Sequence, residues 1–213
     1  MSTNVKTWYD FVLQQMAAES YLDQVGTNGN DHTSVLMYGS NNPPFQDLSP
    51  ATPLLPGTTR MTATQAEDFL SRYEIVSHLP NTASGFSGTL MREIATGAYT
   101  LAFRSTEFFP GEQGGDRARD FGANAEIGLK GFAFGQIASM ESYYDHLRLG
   151  QSYNFVSGQW QSDPALDDFR IRFGFGNVGG ILNVSGYSLS GNLVNVFTAL
   201  HPEVDHAYAL NAT

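Results

Sequence analysis

The chain has 213 residues, a formal net charge of −10 from 11 basic and 21 acidic side chains, and no cysteine. That length suits one domain with a sizeable core; the charge argues against nucleic acid and anionic membrane surfaces as partners, and the missing thiols exclude disulfides, thiolate catalysis and cysteine-ligated zinc. Hydrophobic content of 41% with 13% aromatics excludes disorder for most of the chain, and no apolar stretch is long enough to span a membrane.

The first residues, Met-Ser-Thr-Asn-Val-Lys-Thr-Trp, show no basic segment leading into an apolar one. No secretory signal peptide is visible, which leaves the cytoplasm and secretion without an N-terminal signal both open. Val5, Trp8, Val12 and Met16 recur at helical spacing and predict an amphipathic helix over 4–24, docked on the core by that face. Lys6 is its only basic residue, so membrane contact is the weaker reading. Residues 26–60, with Pro43, Pro44, Pro50, Pro53 and Pro56, read as a long loop that walls a binding site. This helix and loop, 1–60, are expected to pack on a core formed by 61–213.

In the core, Thr64 is the expected N-cap of a short helix reaching Phe69 and Leu70, with Glu67 completing a capping box. Residues 86–92 and 99–103 are β-rich runs joined by a turn at Ala95-Thr96-Gly97. Segment 107–122 reads as a solvated charged face or as a lid. Its Gly114-Gly115-Asp116 is too short to count as a calcium-binding glycine repeat. Over 133–149, Phe134, Ile137, Met140, Tyr144 and Leu147 are in helical register. The aromatic and glycine-rich stretch 150–180 either lines an acyl pocket or forms a flexible connection.

Residues 181–203 carry the most information. Ile181, Leu182 and Val184 suit a strand buried on both faces of a parallel sheet; a sharp turn then carries Ser188, and Leu193, Val196, Phe197 and Leu200 return at helical spacing. Strand, turn and helix in that order make a nucleophile elbow, with Gly186 and Ser190 keeping side chains small around the bend. The helix N-terminus offers unpaired amides to a developing negative charge. Ser188 is expected at the carboxyl edge of the sheet with a positive φ.

Ala102-Phe103-Arg104-Ser105-Thr106 followed by Val184-Ser185-Gly186-Tyr187-Ser188-Leu189-Ser190-Gly191-Asn192-Leu193 resembles the bacterial relatives of the class 3 (triacylglycerol-type) lipases within the α/β-hydrolases. There a strand ends in A-F-R-G-T and a later one runs into V-T-G-H-S-L-G-G-H-L. The resemblance covers roughly 60–213 in order and spacing, with specificity only in the two motifs. It implies a mostly parallel sheet flanked by helices, Ser188 as nucleophile, and the backbone amides of Thr106 and Leu189 as an oxyanion hole, with the Thr106 hydroxyl assisting. The implied substrate is an ester or lipid small molecule, cleaved through an acyl-serine intermediate, with no metal or organic cofactor. Ser105, Tyr187 and Ser190 depart from the family pattern and bear on rate and substrate size more than on reaction class.

Such an enzyme needs an acid and a histidine after the nucleophile. His201 lies thirteen residues along the helix from Ser188, about 20 Å at 1.5 Å per residue. His206 begins the next parallel strand, at the opposite edge of the sheet. His32, His78 and His146 precede the serine, with nothing to place them near it, and His146 falls in a helical stripe. In the resembled family the acid and histidine come later, so the chain is expected to be the N-terminal part of a hydrolase. It is then inactive as this fragment and prone to association through an exposed sheet edge near 206–213. The alternative is a non-catalytic hydrolase-like module for binding or assembly, favoured by G-x-S-x-S and the missing histidine.

Overall fold

A computed structural model describes residues 5–26, 29–38, 61–105, 133–174 and 178–210. Among these the helices are α1 (Val5–Ala18), α2 (His32–Tyr38), α3 (Ala63–Arg72), α4 (Phe134–Arg148), α5 (Asp167–Phe173) and α6 (Leu189–Leu200). The strands are β1 (Tyr73–Leu79), β2 (Gly88–Glu93), β3 (Tyr99–Phe103), β4 (Gln151–Asn154), β5 (Gln159–Ser162), β6 (Leu182–Tyr187) and β7 (His206–Leu210).

Five strands form one mixed sheet in the order β1-β2-β3-β6-β7. β1, β2 and β3 are antiparallel neighbours, and Gly97 at φ 72° supplies the left-handed residue that closes the β2–β3 turn. From β3 onward the pairing is parallel: Phe103 faces Gly186, and Gly186 faces Ala209. β3 sits in the middle with every residue buried, as its Tyr-Thr-Leu-Ala-Phe run requires. The protein is therefore α/β, with helices on both faces. One face packs Leu13, Ala17, Leu36 and Phe69 from α1–α3 on Met91 and Ala102. The other packs Tyr143, Tyr144, Phe169 and Phe197 from α4–α6 on Leu90, Leu101, Phe103 and Val184. β4 and β5 form a separate hairpin.

Several expectations are corrected. α1 ends at Ala18 and is turned the other way: Val5, Trp8 and Val12 are 81%, 42% and 41% exposed, while Phe11, Leu13, Gln14, Gln15, Ala17 and Ala18 are buried. The buried side includes two glutamines, of which Gln15 bonds Glu19, the Phe103 carbonyl and Ser185, so apolar periodicity marked the wrong face. The stretch 26–60 contains helix α2; its residues 39–60 lie outside the described residues. The cap of α3 is Thr62, not Thr64, in a capping box with Gln65: Gln65 N–H donates to Thr62 Oγ1 (3.2 Å) and Thr62 N–H to Gln65 Oε1 (2.9 Å). Ile181 precedes β6 and is exposed, as is Leu200 at the last turn of α6; Val194 takes a buried place instead. β1 and the β4–β5 hairpin had no predicted counterpart.

Candidate functional site around Ser188

The chain leaves β6 and enters α6 in a single residue. Ser188 takes φ 53° and ψ −120°, the only positive φ at a non-glycine among the described residues, a conformation costing about 1–3 kcal/mol. Gly186 makes the close approach feasible. A Cβ there would sit 2.5 Å from the Ser190 carbonyl oxygen and 2.8 Å from Val194 Cγ2. Ser188 N–H donates to the Leu210 carbonyl (2.9 Å), tying the turn to the end of β7. Because β3, β6 and β7 run parallel, Ser188 stands at their carboxyl edge, where open α/β sheets bind ligands.

Serine is a favoured helix N-cap because its hydroxyl can accept an early amide. Ser188 occupies that position in α6 yet makes no side-chain capping bond, and it is half-buried. Its hydroxyl is thus not spent on the helix. The Leu189 amide, the first of α6, has no intrahelical acceptor, and the positive end of the helix dipole points at the turn; Gly191 N–H donates to the Ser188 carbonyl (3.0 Å). Leu189 buries its side chain against Ala133, which fixes its backbone beside Ser188.

Ser190 is fully buried. Its Oγ accepts the Tyr187 N–H at 2.8 Å and lies 2.9 Å from the carbonyls of both Tyr187 and Phe103. The hydroxyl therefore links the turn to the end of β3. Across that end, Ser105 N–H donates to Glu19 Oε1 (2.9 Å) and Ser105 Oγ to Glu19 Oε2 (3.1 Å). Burial pushes the Glu19 carboxyl above its ordinary range, while the Arg104 guanidinium opposes the shift. That guanidinium lies 3.9 Å over the Tyr21 ring. Thr106 and segment 107–122 lie outside the described residues.

Each of the five histidines is engaged or placed elsewhere. His201, at the far end of α6, has Nε2 3.0 and 3.1 Å from the Glu141 carboxylate oxygens. His206 pairs with Asn183 at the amino edge of the sheet. His146 stacks on Trp160 (ring centroids 3.9 Å apart) and meets Gln151 Oε1 through Nδ1 at 2.7 Å. His32 opens α2. His78 is buried, with Nδ1 2.9 Å from Thr89 Oγ1; burial first and Arg104 second lower its pKa to about 3. It shares a register row with Thr89, Ala102 and Ser185, three strand spacings or about 14 Å from β6.

Tyr153 and Trp160, from the hairpin within 150–180, help line a cavity of about 410 Å³ with Leu79, Pro80, Thr82 and Ser142. It lies where β1 reaches the same carboxyl edge as Ser188, and its size is that of a small-molecule site. Among the described residues no group of His, Asp or Glu is placed to hold a metal ion, and no helix is long and apolar enough to cross a membrane. Glu19, Gln15 and Ser185 had no sequence signal: polar residues on a helix face and within a strand read as solvated positions until their partners are known. Comparison of the chain with protein-family models, curated proteins and solved structures finds no match in any of the three.

Proposed function

We propose that the protein is a serine hydrolase of lipase or esterase type, with α/β-hydrolase architecture, acting on carboxylic esters of lipid or acyl character. Ser188 Oγ attacks the ester carbonyl carbon and passes its proton to a base. The oxyanion is held by the amides of Leu189 and Thr106. Collapse expels the alcohol, which takes up a proton, and leaves an acyl-serine that water then hydrolyses. The observation that carries this reading is the strained backbone of Ser188, a non-glycine residue held at φ 53° between a buried strand and a helix N-terminus, which is the geometry of a nucleophile elbow.

None of the five histidines is hydrogen-bonded to Ser188 in its described position, so the base is not supplied by them. That observation favours a second reading, a hydrolase-like module that binds without catalysis. A fluorophosphonate probe with imidazole in the buffer as proton acceptor, followed by peptide mass spectrometry, separates the two. Modification of Ser188 that is lost in Ser188→Ala supports the hydrolase. A chain that folds but takes no label at Ser188 is the binding module.

A further inference from the structure

The end of β3 is held from both faces of the sheet, and the residue that anchors it is a carboxylate. Glu19, just beyond α1, is 3% exposed and accepts both the N–H and the hydroxyl of Ser105. One helical turn earlier, Gln15 Nε2 donates to Glu19 Oε1 and to the Phe103 carbonyl, both at 2.8 Å, while Gln15 Oε1 accepts the Ser185 hydroxyl at 3.1 Å. From the other side, Ser190 Oγ reaches the same Phe103 carbonyl at 2.9 Å. Phe103 is the last paired residue of β3 and faces Gly186, so Ser105 and Ser188 each stand two positions past the same row. Ser105 and Ser190 are also the two places where this chain carries serine and the resembled lipase motifs carry glycine.

We propose that Glu19 is a positioning residue: by binding the backbone and side chain of Ser105 it holds the end of β3 against the Ser188 turn. This rests on Ser188 being the nucleophile. A stability role alone does not call for a buried carboxylate, because taking the charge out of water costs several kcal/mol and an apolar side chain of similar volume often does as well. What the carboxylate adds is direction. It fixes two donors of one residue at once, at a strand end where a misplacement of about 1 Å can cost about 100-fold in rate. Gln15 and Ser190 carry the same constraint to β6 and to the turn, so α1, β3 and the Ser188 turn move as one unit.

The test uses the full chain with imidazole present and measures fluorophosphonate labelling of Ser188 against probe concentration, giving a maximal rate and a half-saturating concentration. Glu19→Gln keeps the size and one acceptor but loses the second. It is expected to lower the maximal rate about tenfold or more and to change the half-saturating concentration less than about twofold, the pattern of a lost transition-state interaction. Ser105→Ala removes only the hydroxyl arm and gives a smaller loss; the double variant is no slower than Glu19→Gln, because both act through one contact. Circular dichroism confirms that each variant is folded, and Ser105→Ala decides the question if Glu19→Gln is not. Labelling of both variants at the wild-type rate, or additive losses in the double variant, overturns the positioning role and leaves Ser188 as nucleophile. A wild-type chain that takes no label overturns the nucleophile and the positioning role together.

Discussion

Ser188 bears a backbone strain that a glycine would not. Ser188→Gly is therefore expected to stabilise the fold: relief of about 1–3 kcal/mol is offset in part by about 0.5–1 kcal/mol of extra glycine entropy in the unfolded chain. Ser188→Ala keeps the strain and should gain little. Chemical denaturation compares them, and equal stability of the two variants would show that the turn is not strained. Function that needs a strained residue is a usual reason such a gain goes unused, so the experiment speaks to the site as well as the fold. His78 supplies a pH-dependent prediction. Its folded pKa of about 3 lies below the ordinary 6.5, so the unfolded chain takes up the proton first. The stability this group provides is complete above pH 6.5 and falls as pH drops toward 3, by about 1.4 kcal/mol per pH unit. Glu19, raised by burial, acts with the opposite sign, gaining stability as pH falls through its folded value. The difference between wild type and His78→Gln isolates the histidine, and a pH-independent difference between pH 7 and 5 would contradict the assignment. At this scale the sequence was readable for Ser188, because a glycine two positions before a serine sat between an apolar run and a helical stripe. It was unreadable for Glu19, whose partner Ser105 is eighty-six residues away.

Elements were legible where a single face is apolar. α4 shows its buried Met140, Tyr144 and Leu147 at helical spacing, β3 shows a near-continuous apolar run, and β6 shows Leu182 and Val184 before the glycine and serine of the turn. α1 fails the same test because its core side holds Gln14 and Gln15 while its solvent side holds Val5, Trp8 and Val12. β1 fails because Tyr-Glu-Ile-Val-Ser-His-Leu alternates poorly, and its register shifts between Ile75 and Ser77. The start of α3 was ambiguous in principle: Thr62 with Gln65 and Thr64 with Glu67 are two overlapping capping boxes. Spacing cannot choose between them, and the hydrogen bonds select the first. Thr62→Ala is accordingly expected to cost about 1 kcal/mol and Thr64→Ala only a few tenths. Thermal unfolding of the two variants checks this, and a larger loss for Thr64→Ala would contradict it.

At the scale of the whole molecule, the α/β class agrees with the expectation, whereas the sheet is mixed and not mostly parallel: two of its four pairings, β1–β2 and β2–β3, are antiparallel, the second across the tight turn at Gly97. The carboxyl edge gathers Ser188, the end of β3 and the cavity beside Trp160 on one side of the molecule. β7, at the end of the sheet order, pairs only with β6 among the described residues, and its His206, Ala207 and Ala209 are exposed. An open edge of that kind templates further strand pairing. Self-association should therefore rise with concentration in sedimentation velocity and be suppressed by Ala207→Lys, which sets a charge on the edge. A strictly monomeric wild-type chain over the same range would remove the edge as an association surface.

The central claim is that the Ser188 turn presents a nucleophile. The most direct measurement is the intact mass and peptide map of the protein after exposure to p-nitrophenyl acetate in imidazole buffer. With no histidine placed to activate water, acylation should outlast turnover: a single acetyl group accumulates on Ser188 and is absent from Ser188→Ala. Equal acetylation of wild type and Ser188→Ala, or an acetyl group found elsewhere while Ser188 stays unmodified, would contradict the account.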